Sequence, residues 1–202
     1  MNKNEKYSLI KYNSIAERYD DSYEGKFTAK FRRKMLALCD AVDGDKILDV
    51  GCGNGSLIRE IKRKGDIFAY GVDISPKMIE ECRRLDSDID FRATNGEELP
   101  YDGNSFDTLT ICCALHHLNN PRKFFKEAQR VLRTGGYLIV GEPWYPVPLR
   151  QLFNWFVSPL LKAGDNKLFG SKELKRMFAA HGFSITYAYK HGIIQIVKGR
   201  KL

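Results

Sequence analysis

Residues 47–55 read Ile47-Leu48-Asp49-Val50-Gly51-Cys52-Gly53-Asn54-Gly55, and this stretch decides the fold. A short, largely apolar run ends in three glycines at alternate positions. Such a run suits a strand buried on both faces of a parallel sheet. The glycines allow a sharp turn and a close approach of bare backbone to a ligand. Residues 56–64 then read as a helix stopped by Gly65. Strand, glycine loop and helix form the unit at which open α/β sheets bind ligands. The spacing is G-x-G-x-G, which differs from the G-x-G-x-x-G of dinucleotide-binding sites.

Working outward, the chain alternates strands and helices. Residues 67–72 read as a second strand, ending at Asp73. Ser75-Pro76 opens a helix, with Ser as N-cap and Pro at the first helical position. Met78, Ile79, Cys82 and Leu85 form its apolar stripe. Phe91 marks a third strand, and residues 106–112 a fourth. Asn120-Pro121 repeats the cap signal for a helix carrying Phe124, Phe125, Ala128, Val131 and Leu132, with Gly135-Gly136 as its expected end. Residues 137–141 read as a fifth strand. The pattern predicts an α/β fold with a largely parallel sheet. After a helix over 171–181, two strands at 183–189 and 193–197 are separated only by Lys190-His191-Gly192. A link that short cannot cross over, so this pair is antiparallel. Ahead of the core, residues 1–45 read as helical, with Phe27, Phe31, Met35 and Leu38 on one face.

The composition narrows the function. The 202 residues are 43% hydrophobic, 29% charged and 12% aromatic, enough for a core without disulfides or metal. Five cysteines, at 39, 52, 82, 112 and 113, form no Cys-x-x-Cys and suit neither a disulfide framework nor a zinc site. A reducing, cytoplasmic setting is the plain expectation. Residues 1–12 lack an apolar core of signal-peptide length, and the most apolar window, 149–161, is too short and polar to span a bilayer. The formal net charge is +8, placed unevenly. Residues 1–34 hold nine basic against five acidic side chains, and residues 162–202 nine against two. Basic ends favour acidic substrates, RNA or anionic lipid, or simply a solvated surface.

The glycine loop and Asp73 together point to a nucleoside-containing cofactor. A carboxylate at the end of strand two can accept hydrogen bonds from both hydroxyls of a ribose. At this point the chain resembles a known family. ILDVGCGNGSL (47–57), VDISPKMIE (72–80), SFDTLTICCALHHLNNP (105–121) and VLRTGGYLIVGEP (131–143) are similar to successive motifs of class I S-adenosylmethionine-dependent methyltransferases. The resemblance leans toward the small-molecule branch that includes the ubiquinone/menaquinone methyltransferases, and it covers roughly residues 10–200. It implies a Rossmann-like fold with a seven-stranded, mostly parallel sheet and an antiparallel terminal hairpin. It also implies one domain: a helical cap (1–45), a cofactor-binding core (46–143), a substrate-lid insertion (144–170), and a terminal helix and hairpin (171–202).

Carried over residue by residue, the resemblance places Gly51 and Gly53 against the methionine part of S-adenosylmethionine, with Asp49 orienting it. Asp73 becomes the ribose ligand, and Ile74 and Met78 become apolar neighbours of the adenine. Asn95-Gly96 stands where the family usually has Asp-Ala, and an amide oxygen can still accept from an adenine amino group. Cys112 would line the cofactor, and Tyr12 and Tyr19 match aromatic positions of the closing helix. The product would be S-adenosylhomocysteine.

Methyl transfer from a sulfonium is an in-line displacement that needs alignment and exclusion of water, with a base only where the accepting atom carries a proton. His116 and His117, just beyond strand four, are the base candidates. His117 matches the family's more typical histidine, and its plainer role is to hold the loop. Residues 144–161 carry Leu149, Leu152, Phe153, Phe156, Val157 and Leu160 at helical spacing, with Trp155 off that face and Pro159 as a break. They read either as a core helix or, with Trp144 and Tyr145, as an apolar wall over the acceptor. The expected partner is a small-molecule methyl acceptor, methylated at O, N, C or S, with no membrane span and a monomeric or homodimeric state. Alternatives are an RNA methyltransferase, a methyltransferase-like binding protein without turnover, and a nicotinamide-dependent dehydrogenase. Nucleic acid is disfavoured because the loop after strand four lacks the Asn/Asp-Pro-Pro-aromatic signature, and no Pro-Cys pair exists.

Overall fold

The computed structural model describes residues 3–157, 164 and 166–202. Its centre is a seven-stranded sheet built from β1 (Lys46–Val50), β2 (Phe68–Asp73), β3 (Asp90–Ala93), β4 (Phe106–Cys112), β5 (Leu132–Pro143), β6 (Phe183–His191) and β7 (Ile194–Lys201). The order is β3-β2-β1-β4-β5-β7-β6. The first five strands are parallel, and β7 runs antiparallel to both neighbours. The strand order reverses between β1 and β4, and it is outside such a switch point that an open α/β sheet leaves a crevice.

Alternation along the strands sends side chains to two cores. Leu48, Val50, Leu109 and Ile111 pack with Phe124, Phe125 and Val131 of α5 (Pro121–Val131) and with Leu174 and Phe178 of α7 (Ser171–Ala180). On the opposite face Ile47 meets Phe31 and Met35 of α2 (Tyr23–Leu38), Ile58 and Ile61 of α3 (Ser56–Lys62), and Ile79 and Cys82 of α4 (Pro76–Leu85). The two expected N-caps form: Ser75 Oγ accepts from the Met78 amide at 3.1 Å, and Asn120 Oδ1 from the Lys123 amide at 3.3 Å.

Three expectations change. Gly135-Gly136 does not end the helix, because α5 stops at Val131 and Leu132 already pairs with Phe106. The register then shifts before Thr108 pairs with Tyr137, and the glycines lie within that irregular stretch. Leu85 is exposed: it is the last residue of α4, whose buried residues are Met78, Ile79 and Cys82. Residues 144–157 do not form one core helix. A short α6 (Val147–Leu152) runs into a π-helical turn at Phe153–Val157, and neither has a buried residue. Pro159 and Leu160 lie outside the described residues. At the other end, α1 (Lys3–Ile15) and a 3-10 turn (Ala16–Asp21) lead into α2. Asn13 ties α1 to the core, its Oδ1 accepting from Ser75 Oγ at 2.7 Å.

Candidate active site

The loop after β1 turns through three left-handed residues, Gly51, Gly53 and Gly55, at φ of 65°, 53° and 77°. A Cβ on Gly51 would lie 2.4 Å from that of Ala114, so only glycine fits beside the chain beyond β4. Asp73, at the end of β2, accepts from the Gly53 amide through Oδ2 and from the Ser75 amide through Oδ1, each at 2.9 Å. Burial pushes its carboxyl up, and the two amides pull the other way. Each oxygen keeps a further lone pair, which is what a pair of vicinal hydroxyls requires. Asp49 sits one pleat back. Its register partner on β4 is Thr110, whose Oγ1 donates to Asp49 Oδ1 at 2.6 Å. Burial raises Asp49 to about 7, against the Thr110 hydrogen bond and with a smaller push from Asp73.

A cleft opens above the switch point, where an open α/β sheet takes its ligands. Gly51, Gly53, Asp73, Ile74, Asn95, Gly96, Cys112, Tyr12, Tyr19 and His117 all line it. Asp49 lies behind the glycine loop instead, in a small cavity shared with Tyr19, Gly51, Gly53 and Cys112. Met78 is not on the cleft. Proline at the first helical position sets Met78 on the inward stripe of α4, where it is fully buried. Asn95 is held at both ends: Nδ2 donates to Glu5 Oε1 at 2.6 Å, and Oδ1 accepts from the Glu97 amide at 2.9 Å. Glu5 and Ser8 of α1 also line the cleft, and the sequence singled out neither. Their only trace there is their spacing with Tyr12, at i, i+3 and i+7 on one helix face.

A second, more apolar cleft adjoins the first. Tyr23, Phe27, Tyr145, Leu149, Leu152, Phe153 and Leu168 line it, together with His116. The two clefts share Tyr12, Cys113 and His117. Tyr12 Oη and His117 Nε2 are 2.9 Å apart at that junction. Burial, then the neighbouring His116, push His117 well below the usual imidazole range, and a backbone hydrogen bond with Gly164 opposes them. Burial raises the Tyr19 phenol, whose oxygen is 3.3 Å from Thr28 Oγ1. His116 has a different setting. Its Nδ1 is 2.8 Å from Oε2 of the fully buried Glu142 at the end of β5, and Glu142 Oε1 accepts from the Leu115 amide at 3.0 Å. Glu142 does not stand out in the sequence. Its one signal there is an acid directly after the apolar run Leu138-Ile139-Val140-Gly141.

The fold and this cleft define a class, the open α/β proteins with a ligand crevice at the switch point of the sheet. Comparison with known proteins narrows it. A family model described as a methyltransferase domain matches residues 48–140. The demethylmenaquinone methyltransferase of Tropheryma whipplei is 33% identical over 161 residues, 74% of this chain and 66% of that protein. The enzyme of the same name from Renibacterium salmoninarum is 33% identical over 162 residues, 77% of this chain and 68% of that protein. The chain thus spans about two thirds of the length of these relatives. It belongs to the class I S-adenosylmethionine-dependent methyltransferase family. Among solved structures, a chain from the complex of the Haloferax volcanii Trm112 methyltransferase activator superposes with a TM-score of 0.81 at 17% identity, covering 94% of this chain and 96% of that one. At that identity the match speaks for the fold.

Proposed function

We propose that the protein moves a methyl group from S-adenosylmethionine to an O, N, C or S atom of a small, partly apolar molecule. One observation carries this reading: a glycine-lined cleft with Asp73 at its wall meets an apolar cleft at Tyr12, Cys113 and His117. S-adenosylmethionine supplies an activated methyl on a sulfonium. The chain's own residues then have to bind, align and exclude water. Gly51 and Gly53 present bare backbone to the amino-acid part, with Asp49 behind them. Asp73 takes the ribose hydroxyls. Ile74, Asn95, Gly96 and Cys112 surround the remainder, and Tyr12 and Tyr19 close over it. Tyr145, Leu149, Leu152, Phe153 and Leu168, from the described part of residues 144–170, act as the cover of the acceptor.

The two histidines divide the work. His117 stays neutral near pH 7 and holds Tyr12 at the junction, which is a positioning role. His116 faces the acceptor cleft with a buried carboxylate at Nδ1, the arrangement that fixes a tautomer and stabilises an imidazolium. Where the accepting atom carries a proton, His116 takes it.

The test is cofactor binding followed by turnover. S-adenosylmethionine and S-adenosylhomocysteine should each raise the melting temperature, with NAD having no comparable effect. Asp73→Ala should weaken binding of either by about 1–3 kcal/mol, measured by calorimetry. A panel of small apolar acceptors should then release S-adenosylhomocysteine. Undiminished affinity in Asp73→Ala would place the ribose elsewhere.

A further inference from the structure

The apolar side of the acceptor cleft continues onto the outer surface. Among the described residues, six of the twelve strongly exposed large apolar side chains fall within residues 147–157. Trp155 and Phe156 are 66% and 62% exposed. Tyr23, 76% exposed, extends the patch from α2, stacked on Phe27 with ring centroids 6.1 Å apart. Apolar surface concentrated in this way marks an interaction site. Residues 147–157 hold no acid and one base, Arg150.

The charges around the patch indicate what covers it. Lys30 Nζ lies 5.7 Å from the centre of the Phe27 ring, Lys34 Nζ 4.6 Å from that of Tyr189, and Lys190 Nζ 4.1 Å from that of Trp144. None of the three has a carboxylate partner among the described residues. Unpaired lysines are depleted from protein–protein contacts. A short helix with exposed Trp, Phe and Leu, bordered by lysines whose stems lie on apolar surface, is the composition that settles at a lipid headgroup boundary. The complementary surface is negative, and lysines near an anionic leaflet are attracted to it.

We propose that this face docks on an anionic lipid bilayer. Trp155, Phe156 and Leu152 enter the headgroup–acyl boundary, and Lys30, Lys34 and Lys190 meet lipid phosphates. The acceptor cleft, walled by Leu149, Leu152 and Phe153, then opens toward the membrane and takes an apolar acceptor from it. That last step rests on the methyl-transfer reading, whereas the docking does not.

Co-sedimentation of the full chain with vesicles tests the docking, comparing phosphatidylcholine alone with phosphatidylcholine containing phosphatidylglycerol. The protein should sediment with the anionic vesicles at least about tenfold more strongly, and less so as salt rises. Tryptophan emission should shift to the blue on binding, with the shift reduced in Trp155→Phe. The double variant Trp155→Ser, Phe156→Ser should keep its melting temperature and lose about tenfold or more in partitioning. The triple variant Lys30→Glu, Lys34→Glu, Lys190→Glu should lose the preference for phosphatidylglycerol. Failure to bind either vesicle overturns the proposal, as does parental binding by both variants. So does a concentration-dependent dimer that the serine variant abolishes, because a second copy would then cover the face. Vesicle binding without S-adenosylmethionine binding would refute the methyl-transfer reading and leave the docking standing.

Discussion

The two clefts that meet at Tyr12, Cys113 and His117 are built by opposite means. The floor of the first is set by the backbone of the sheet's C-terminal edge: left-handed glycines and amides aimed at Asp73, with the Thr110–Asp49 contact behind them set by strand register. The second is made of side chains from α1, α2, the end of β5 and the turn of residues 153–157. Its outer wall is exposed, and no side chain caps α6. The contrast separates two tasks. A constant ligand is met by geometry that a packed sheet enforces. A particular ligand is met by surface that can change at little cost to the core.

Breaking the proton path at the acceptor side should have the largest effect. Glu142→Gln keeps an oxygen for the Leu115 amide but sets an amide N–H against His116 Nδ1, which favours the wrong tautomer. With an acceptor whose accepting atom carries a proton, turnover, followed by S-adenosylhomocysteine release, should drop about 10²–10⁴-fold with cofactor affinity nearly constant. A larger loss in His117→Gln than in Glu142→Gln would reverse the assignment of the two histidines.

The carboxylate buried behind the glycine loop should show its cost as a pH dependence. Asp49 has a folded value of about 7, raised by burial above the ordinary carboxylate range near 4. Its stabilising contribution is therefore present below about pH 4 and is lost as pH rises through about 7. Asn at this position can still accept from Thr110 and carries no charge. The melting temperature of cofactor-free Asp49→Asn should rise relative to the parent between pH 5 and 8, by about 2–4 °C for each kcal/mol regained. A difference that stays flat with pH would mean Asp49 is ionised without penalty.

The smallest effect on stability belongs to the acceptor wall. Phe153→Ala should cost less than about 1 kcal/mol, because its side chain is only half-buried beside exposed neighbours. It should instead raise KM for the acceptor. Phe125→Ala, in the core between α5 and α7, should cost about 3–5 kcal/mol, read by denaturant unfolding. Equal losses in the two variants would make the wall part of the core.

The parts of the molecule legible in sequence were those governed by neighbours along the chain. The β1 strand, its left-handed glycines, the Ser75 and Asn120 caps and the antiparallel final hairpin each follow from a few adjacent residues. The cleft residues grouped by the family resemblance lie near those motifs, and most of them do line it. Met78 does not, because its place on α4 is decided by which face packs inward. Glu5, Ser8 and Glu142 went unseen because their partners, where the structure places them, lie far away in sequence. Glu5 meets Asn95 and Glu142 meets His116.

Sequence alone thus determined the class of fold and the local geometry of the glycine loop, since turn conformation, capping and strand pattern are set locally by sterics and hydrogen bonding. Only the tertiary structure decided that residues 147–157 lie on the surface, that the two histidines face different partners, and that a second cleft opens beside the first. Burial and side-chain pairing depend on what the rest of the chain brings into contact, and an apolar helical pattern reads alike whether it faces a core, a ligand or a membrane.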